Sequence, residues 1–357
     1  MIEIDGSIGE GGGQIVRTSI ALSTLLGKSI RIYNIRSSRP KPGLKFQHTV
    51  GIKAAAKISN AEISGVKLNS EEITYKPGKI QGGNYEINIK TAGSISLVLQ
   101  VLMPIMAFAG ERITLTNTGG TDVNWSPPVD FIQEVFRPIL SSMGYIYNIK
   151  INRRGHYPRG GGIVNSVFEP VKYLKPLNIK NYKEIQKIEG ISHCVKLPKH
   201  VAVRQMNAAK KFLRENNLPE PKIKIEFYKP EVDPHLGPGS GILLWCTPDN
   251  QIPLSGDSYG ERGKTAEKVG IEAARKLVNE IKSHALLDIH TSDMIIPYLA
   301  IADGVSIIKV RNITEHLRTN IEITEYITKT KFNVNKIKND LYEIKVKGIG
   351  LKNKNLI

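Results

Sequence analysis

The sequence predicts an α/β (α+β) protein: a large domain of three repeated βαβ-type units with two helices each, plus a small inserted α/β domain. The first observation is a weak internal repeat. "QIVRTSIALSTLLGKSIRIYNIRSSR", "SISLVLQVLMPIMAFAGERITLTNTGG" and "SDMIIPYLAIADGVSIIKVRNITEH" each read as an apolar helix, a glycine and a short alternating strand. The second is the spacing of those glycines. Gly27 and Gly110 stand 83 positions apart, and Gly110 and Gly304 stand 194 apart. The third is that the segment from 180 to 278 carries strand and helix signals of its own, which accounts for most of the excess. The predicted division is therefore 1–179 with 279–357 as the large domain and 180–278 as the insertion.

Each element follows from local chemistry. A glycine just past an apolar helix supplies the left-handed cap, and β-branched alternation supplies the strand. "SIRIYNI", "RITLTNT" and "VSIIKVR" are the strands, and Asn34, Asn117 and Asn312 follow the three glycines at nearly equal distance. Second helices are expected near "KFQHTVGIKAAAKI", "PVDFIQEVFRPILSSM" and from "NIEITEYI". In the insertion, "EGISHCVKL", "PKIKIEFYK" and "GILLWCTP" read as strands. "VAVRQMNAAKKFLREN" and "TAEKVGIEAARKLVNEIKSHAL" read as helices. The tail, "KIKNDLYEIKVKGIGLKNKNLI", predicts an edge strand and a frayed end.

The 357 residues suffice for more than one core. A net charge of +17 favours a polyanionic partner such as nucleic acid or nucleotide. Cys194 and Cys246 belong to no CxxC pair, which disfavours a disulfide framework or zinc ribbon. The first residues lack a basic-then-apolar leader, and no apolar run reaches the ~20 residues of a membrane span. The reading is a soluble, cytoplasmic protein with no membrane partner.

"GEGGGQIVRTS", residues 9–19, is the first chemical candidate. It is not a nucleotide signature, because Gln14 holds the last place of GxGxxG. "GKS" at 27–29 and "GKT" at 263–265 fail as P-loops, with Leu22 and Ser258 where a glycine is needed. What remains is a glycine loop at a helix start, open to an anion or simply a tight turn, with Arg17 one turn on and Glu10 as a carboxylate. "IRSSRPKPGLKFQH" sets Arg36, Arg39, Lys41 and Lys45 on a proline-stiffened loop ending in Gln47 and His48, which suits phosphate oxygens. "RRGHYPRGGG" offers Tyr157 as a stacking ring or a plain loop. In "NITEHLRTN", His316 precedes a helix expected to be capped at Thr319 or Asn320. Such a histidine serves as nucleophile, proton shuttle or structural hydrogen-bonder. His290 and Asp293 of "DIHTSD" share a helical face, for a metal or a substrate, with Ser292 as a plain N-cap. The absence of HExxH and GxSxG argues against zincins and serine hydrolases.

Taken in order, "GEGGGQIVR", "IRSSRPKPGLKFQH", "TAGSISLVLQ", "GGTDVNWSPPVDF", "YPRGGG", "SDMIIPYLA" and "HLRTN" resemble the RNA 3′-terminal phosphate cyclase family, from residue 9 to 320. The resemblance implies a large domain of three similar units with a smaller inserted one. It also implies ATP-dependent conversion of an RNA 3′-phosphate to a 2′,3′-cyclic phosphate through enzyme–histidine–AMP and RNA–adenylate intermediates. On that resemblance His316 is the nucleophile. Gln100, Pro128, His290, Asp293 and Met294 fall at the nucleotide. Arg17, Arg36, Arg39, Gln14, Gln47 and His48 fall at phosphate or the RNA end. Glu10 falls at Mg2+ (or Mn2+). Many bacterial members carry glutamine and tyrosine where this chain has Met294 and His290. A non-catalytic, ribosome-assembly branch lacks the histidine, and an enolpyruvyl-type transferase would need none. Oligomeric state is left open, with a homodimer as one option.

Overall fold

The computed structural model describes residues 1–356, and its elements sort into four sheets. The first unit contains β1 (Ile2–Asp5), α1 (Gly13–Leu26), β2 (Ile30–Tyr33), α2 (Phe46–Ser59), β3 (Glu62–Ser64) and β4 (Ile73–Lys76). Its sheet runs β1-β2-β4-β3, with β1 parallel to β2 and the other pairs antiparallel. The second unit repeats this plan with β5 (Gly83–Asn88), α3 (Ile95–Ala107) and β6 (Ile113–Gly119). Its second helix begins as α4 (Val129–Phe131), passes through a π segment at Ile132–Phe136 and ends as α5 (Arg137–Ser142). Pro138, which has no N–H to give, stands just beyond the widened turn. The strands β7 (Tyr147–Arg153) and β8 (Gly162–Phe168) complete a sheet of order β5-β6-β8-β7, again with its first pair parallel.

A second kind of unit follows: β9 (Ile185–Val195), α6 (His200–Glu215), β10 (Lys222–Phe227), β11 (Gly239–Pro248), β12 (Leu254–Tyr259) and α7 (Ala266–Ser283). Its sheet, β10-β9-β11-β12, is covered by α6 and α7 and has its own buried core, including Leu213, Leu244, Leu254 and Leu277. Position 278 lies inside α7, which runs on to Ser283. The last unit comprises α8 (Ile289–Ile301), β13 (Val305–Val310), α9 (Glu315–Thr328), β14 (Phe332–Lys338) and β15 (Leu341–Lys347). Asn178 bridges Ile307 and Leu287 bridges Val310, both in parallel sense. These two short pieces take the place that β1 and β5 hold beside their parallel neighbours, and the small-sheet unit leaves the chain between them.

The apolar helices α1 and α3 pack on each other, α1 also meets α9, and α8 packs on α9. Nearly every side chain of α3 is buried, Val98, Leu99, Leu102, Met103 and Ile105 among them. Each such Leu, Ile or Met contributes about 1.5–3 kcal/mol relative to exposure. The tail departs from its sequence reading. β15 is the central strand of β13-β15-β14, not an edge. The described residues after it dock instead of fraying: Ile349 N–H donates to Ala300 O, and Asn353 Nδ2 donates to Ala109 O and Val171 O.

Candidate active site

The starts of α1, α2 and α9 converge because the glycine run allows it. Gly11 adopts φ +57°, a region open to glycine. At Gly13 the reason is proximity, since a Cβ there would stand 2.1 Å from His48 Nε2. His48 is buried and its Nδ1 accepts from Lys45 N–H at 3.1 Å, so it closes the first turn of α2. Burial, with Arg17, Arg36 and Lys45 nearby, holds its pKa down to about 3. Hydrogen bonds then lace α1 to α9. Gln14 Nε2 donates to His316 O at 2.6 Å, and Thr18 Oγ1 donates to Asn320 Oδ1 at 2.6 Å.

His316 sits in the first turn of α9, which starts about one turn earlier than the sequence reading, where His316 preceded the helix. The N-cap is Thr314, not Thr319 or Asn320. Thr314 Oγ1 accepts from Leu317 N–H at 3.0 Å and donates to Asp293 Oδ1 at 3.1 Å. Likewise Asp288, not Ser292, caps α8, accepting from Thr291 N–H at 2.8 Å. His316 Nδ1 lies 2.7 Å from Glu10 Oε2, and Arg39 Nη2 donates to Glu10 Oε1 at 2.5 Å. A carboxylate on Nδ1 selects the tautomer with hydrogen there and leaves the Nε2 lone pair free. Burial lowers the pKa of His316, opposed by Glu10 and reinforced by Arg17 and Arg39, which favours the neutral ring.

His316 forms part of the wall of a cavity of about 280 Å³ that also presents Arg17, Gln100, Trp125, Asp293 and Met294. Arg17 Nε donates to Gln100 Oε1 at 3.0 Å. Burial pulls Arg17 down to about 10, against the attraction of Asp293, and burial raises Asp293 to about 7. His290 is on the same wall, with Nε2 3.0 Å from Asp257 Oδ1. Burial opposes its charge, yet Asp257 and Asp288 raise its pKa, so α8 is tied to β12 of the small sheet. Leu97, Pro104, Pro127 and Pro297 give the cavity an apolar side suited to a planar base.

The structure thus brings Gln14, Arg17, Gln100, His290, Asp293, Met294 and His316 onto one cavity wall. Glu10 and Arg39 stand behind His316. The remaining residues are outside that wall. Arg36 Nη1 donates to Lys41 O and Gly43 O, holding its own loop. Gln47 Oε1 accepts from Ser94 N–H at 3.3 Å, linking α2 to the start of α3. Pro128 is the N-cap residue of α4, and its neighbour Pro127 reaches the cavity. One Glu10 oxygen meets His316 and the other Arg39, so the carboxylate orients the imidazole. Sequence reasoning missed Trp125, which is 99% exposed at the cavity with φ +61°. Its only signal was a tryptophan flanked by Asn124 and a Ser-Pro-Pro run. It also missed Thr314, whose cap depends on α8.

The fold and the site define a unit-built α/β protein with an imidazole presented to a cavity that also holds the Arg17 guanidinium. Residues 8–334 match the family model for RNA 3′-terminal phosphate cyclase. The RNA 3′-terminal phosphate cyclase of Caldivirga maquilingensis is 51% identical over 326 residues, 91% of this chain and 92% of the relative. That of Methanopyrus kandleri is 49% identical over 325 residues, 91% of this chain and 92% of the relative. That of Hyperthermus butylicus is 46% identical over 355 residues, 98% of each. The chain belongs to the RNA 3′-terminal phosphate cyclase family of enzymes. Among the described residues no helix is long and apolar enough to cross a membrane.

Proposed function

We propose that the protein uses ATP to convert the 3′-terminal phosphate of an RNA into a 2′,3′-cyclic phosphate, through a nucleotidyl-histidine. His316 Nε2 attacks the α-phosphorus of ATP, an N–P bond forms, and pyrophosphate leaves with the electron pair of the broken P–O bond. A terminal-phosphate oxygen of the RNA then attacks the same phosphorus and releases the imidazole. The neighbouring 2′-hydroxyl attacks the activated 3′-phosphorus, loses its proton to solvent or a nearby base, and expels AMP. Adenylation replaces a poor leaving group by a good one, so ring closure becomes an intramolecular displacement that gains from proximity. Only a ribose end can close the ring.

The observation that carries this reading is the His316 ring, held at Nδ1 by Glu10 while it lines a cavity of base-sized volume beside Arg17. The Glu10 bond stabilises the cationic imidazole that forms on attack. Arg17, partly buried on Gln100, supplies positive charge for phosphate oxygens. The net charge of +17 suits an RNA end.

The test is incubation with ATP radiolabelled on the α-phosphate. A protein–AMP adduct is expected, absent in His316→Asn, together with loss of one water from the mass of an RNA 3′-phosphate end. Wild-type protein that binds RNA and never forms the adduct overturns the reading in favour of a non-catalytic RNA-binding role.

A further inference from the structure

A buried cluster stands outside the cavity wall, where the small sheet meets the loops of the second unit. Asp122 follows β6, His156 lies between β7 and β8 with a backbone bridge to Asp122, and His193 is on β9. All three are buried, and one ligating atom from each lies within 4.8 Å of the others. His193 Nε2 is 3.6 Å from Asp122 Oδ1, and His156 Nε2 is 3.9 Å from Asp122 Oδ2. Both separations are too long for hydrogen bonds. Both Nε2 atoms have no hydrogen-bond partner, although His156 is 7% and His193 3% exposed. An unpartnered buried nitrogen is costly, and here two are aimed at one carboxylate.

Charge points the same way. Arg154 contacts Asp122, Asp130 and Glu226, so three carboxylates surround one guanidinium. With neutral imidazoles and ionised acids the cluster holds two negative charges in excess. Gly239 leaves room for the His156 ring, since a Cβ there would stand 2.0 Å from His156 Cγ.

We infer that Asp122, His156 and His193 form a binding site for a zinc-class divalent ion, which fastens the small sheet to the β6 and β7–β8 loops. Two imidazoles and a carboxylate are the donors such ions take, at about 2.0–2.2 Å, which places ligand atoms roughly 3.3 Å apart. The two histidine–aspartate separations, 3.6 and 3.9 Å, are close to that spacing, and the third pair lies within 4.8 Å. Calcium and magnesium, which prefer oxygen, do not match the set.

The test uses full-length protein stripped with a chelator and then titrated with Zn2+ or Co2+ alone. Calorimetry should give one high-affinity ion per chain, and zinc should raise the melting temperature. His193→Asn and His156→Asn should each weaken binding by about 10- to 100-fold or more and abolish that rise. Cobalt should give the strong visible bands of a four-coordinate site in the unmutated protein, which decides the matter even if a variant fails to fold. Absence of binding, binding unchanged in both variants, or the weak spectrum of six-coordinate cobalt overturns the inference. In the first of these, a proton shared within the cluster balances its charge instead. Protein–AMP formation is read separately, so failure here leaves the reading of His316 untouched.

Discussion

Glu10→Gln isolates what the carboxylate does for His316. The contact is 2.7 Å from Nδ1 to Oε2, within the range of a charge-assisted hydrogen bond. A hydrogen bond to a charged partner is worth about 1.5–3 kcal/mol. The side chains of His316 and Glu10 are 48% and 32% exposed, and Arg39 shares the carboxylate, so screening favours the lower part of that range. About 1.5–2 kcal/mol corresponds to a rate loss of roughly 10- to 30-fold in the adenylation step. The sign of the pH effect is set by the same contact. The Glu10 charge raises the His316 pKa against burial and the two arginines. Removing it lowers that pKa further, so the acid limb of the rate profile moves to lower pH while the plateau falls. The assay is single-turnover formation of the radiolabelled protein–AMP adduct across a pH series at saturating ATP. An adduct rate within twofold of wild type, with an unmoved acid limb, refutes the claim that Glu10 orients the ring.

The other predictions use different observables. Trp125→Ala should raise the ATP concentration for half-maximal adduct formation roughly 5- to 150-fold, from about 1–3 kcal/mol of base stacking; an unchanged value removes the ring from nucleotide binding. Gly13→Ala should displace His48, because the new Cβ would stand 2.1 Å from its Nε2, and melting-temperature and adduct measurements should both fall. Arg154→Met leaves three buried or partly buried carboxylates without their cation and should cost about 3–5 kcal/mol in urea unfolding. His48 gives a stability effect with a definite sign. Its folded pKa of about 3 lies below the ordinary 6.5, so the unfolded chain binds the proton first as pH falls. Stability is therefore full above about pH 6.5 and declines towards about pH 3, by roughly 1.4 kcal/mol per pH unit. Urea unfolding of His48→Gln should show about one proton less of pH dependence than wild type between about pH 6 and 4.

The parts of the molecule legible in the sequence are those whose causes are local. Gly27 ends α1 with φ +64°, and the alternation after it becomes β2, as the glycine-then-strand pattern implies. The same holds for Val305–Val310 after Gly304. What the sequence obscured depends on partners far along the chain. Thr314 wins the cap of α9 over Thr319 and Asn320 because those two side chains are used elsewhere. Thr319 Oγ1 donates to Glu315 O, and Asn320 both accepts from Thr18 and donates to Asp293 O. The lysine-rich β15 read as an edge, yet Ile344 and Val346 are buried and strands pair on both sides of it. Arg36 and Arg39 look equivalent on one basic loop, but Arg36 turns back onto its own carbonyls and only Arg39 reaches Glu10. Residue type and spacing can nominate Arg17, Asp293 and His316 as chemical groups. Their convergence requires α1, α8 and α9 to pack together, and that follows from the apolar faces of those helices and not from the motifs. The same logic explains why Asp122, His156 and His193 carried no metal signature. Their spacing along the chain resembles no motif, and only the docking of β9 beside the β7–β8 loop turns three isolated residues into one set of donors.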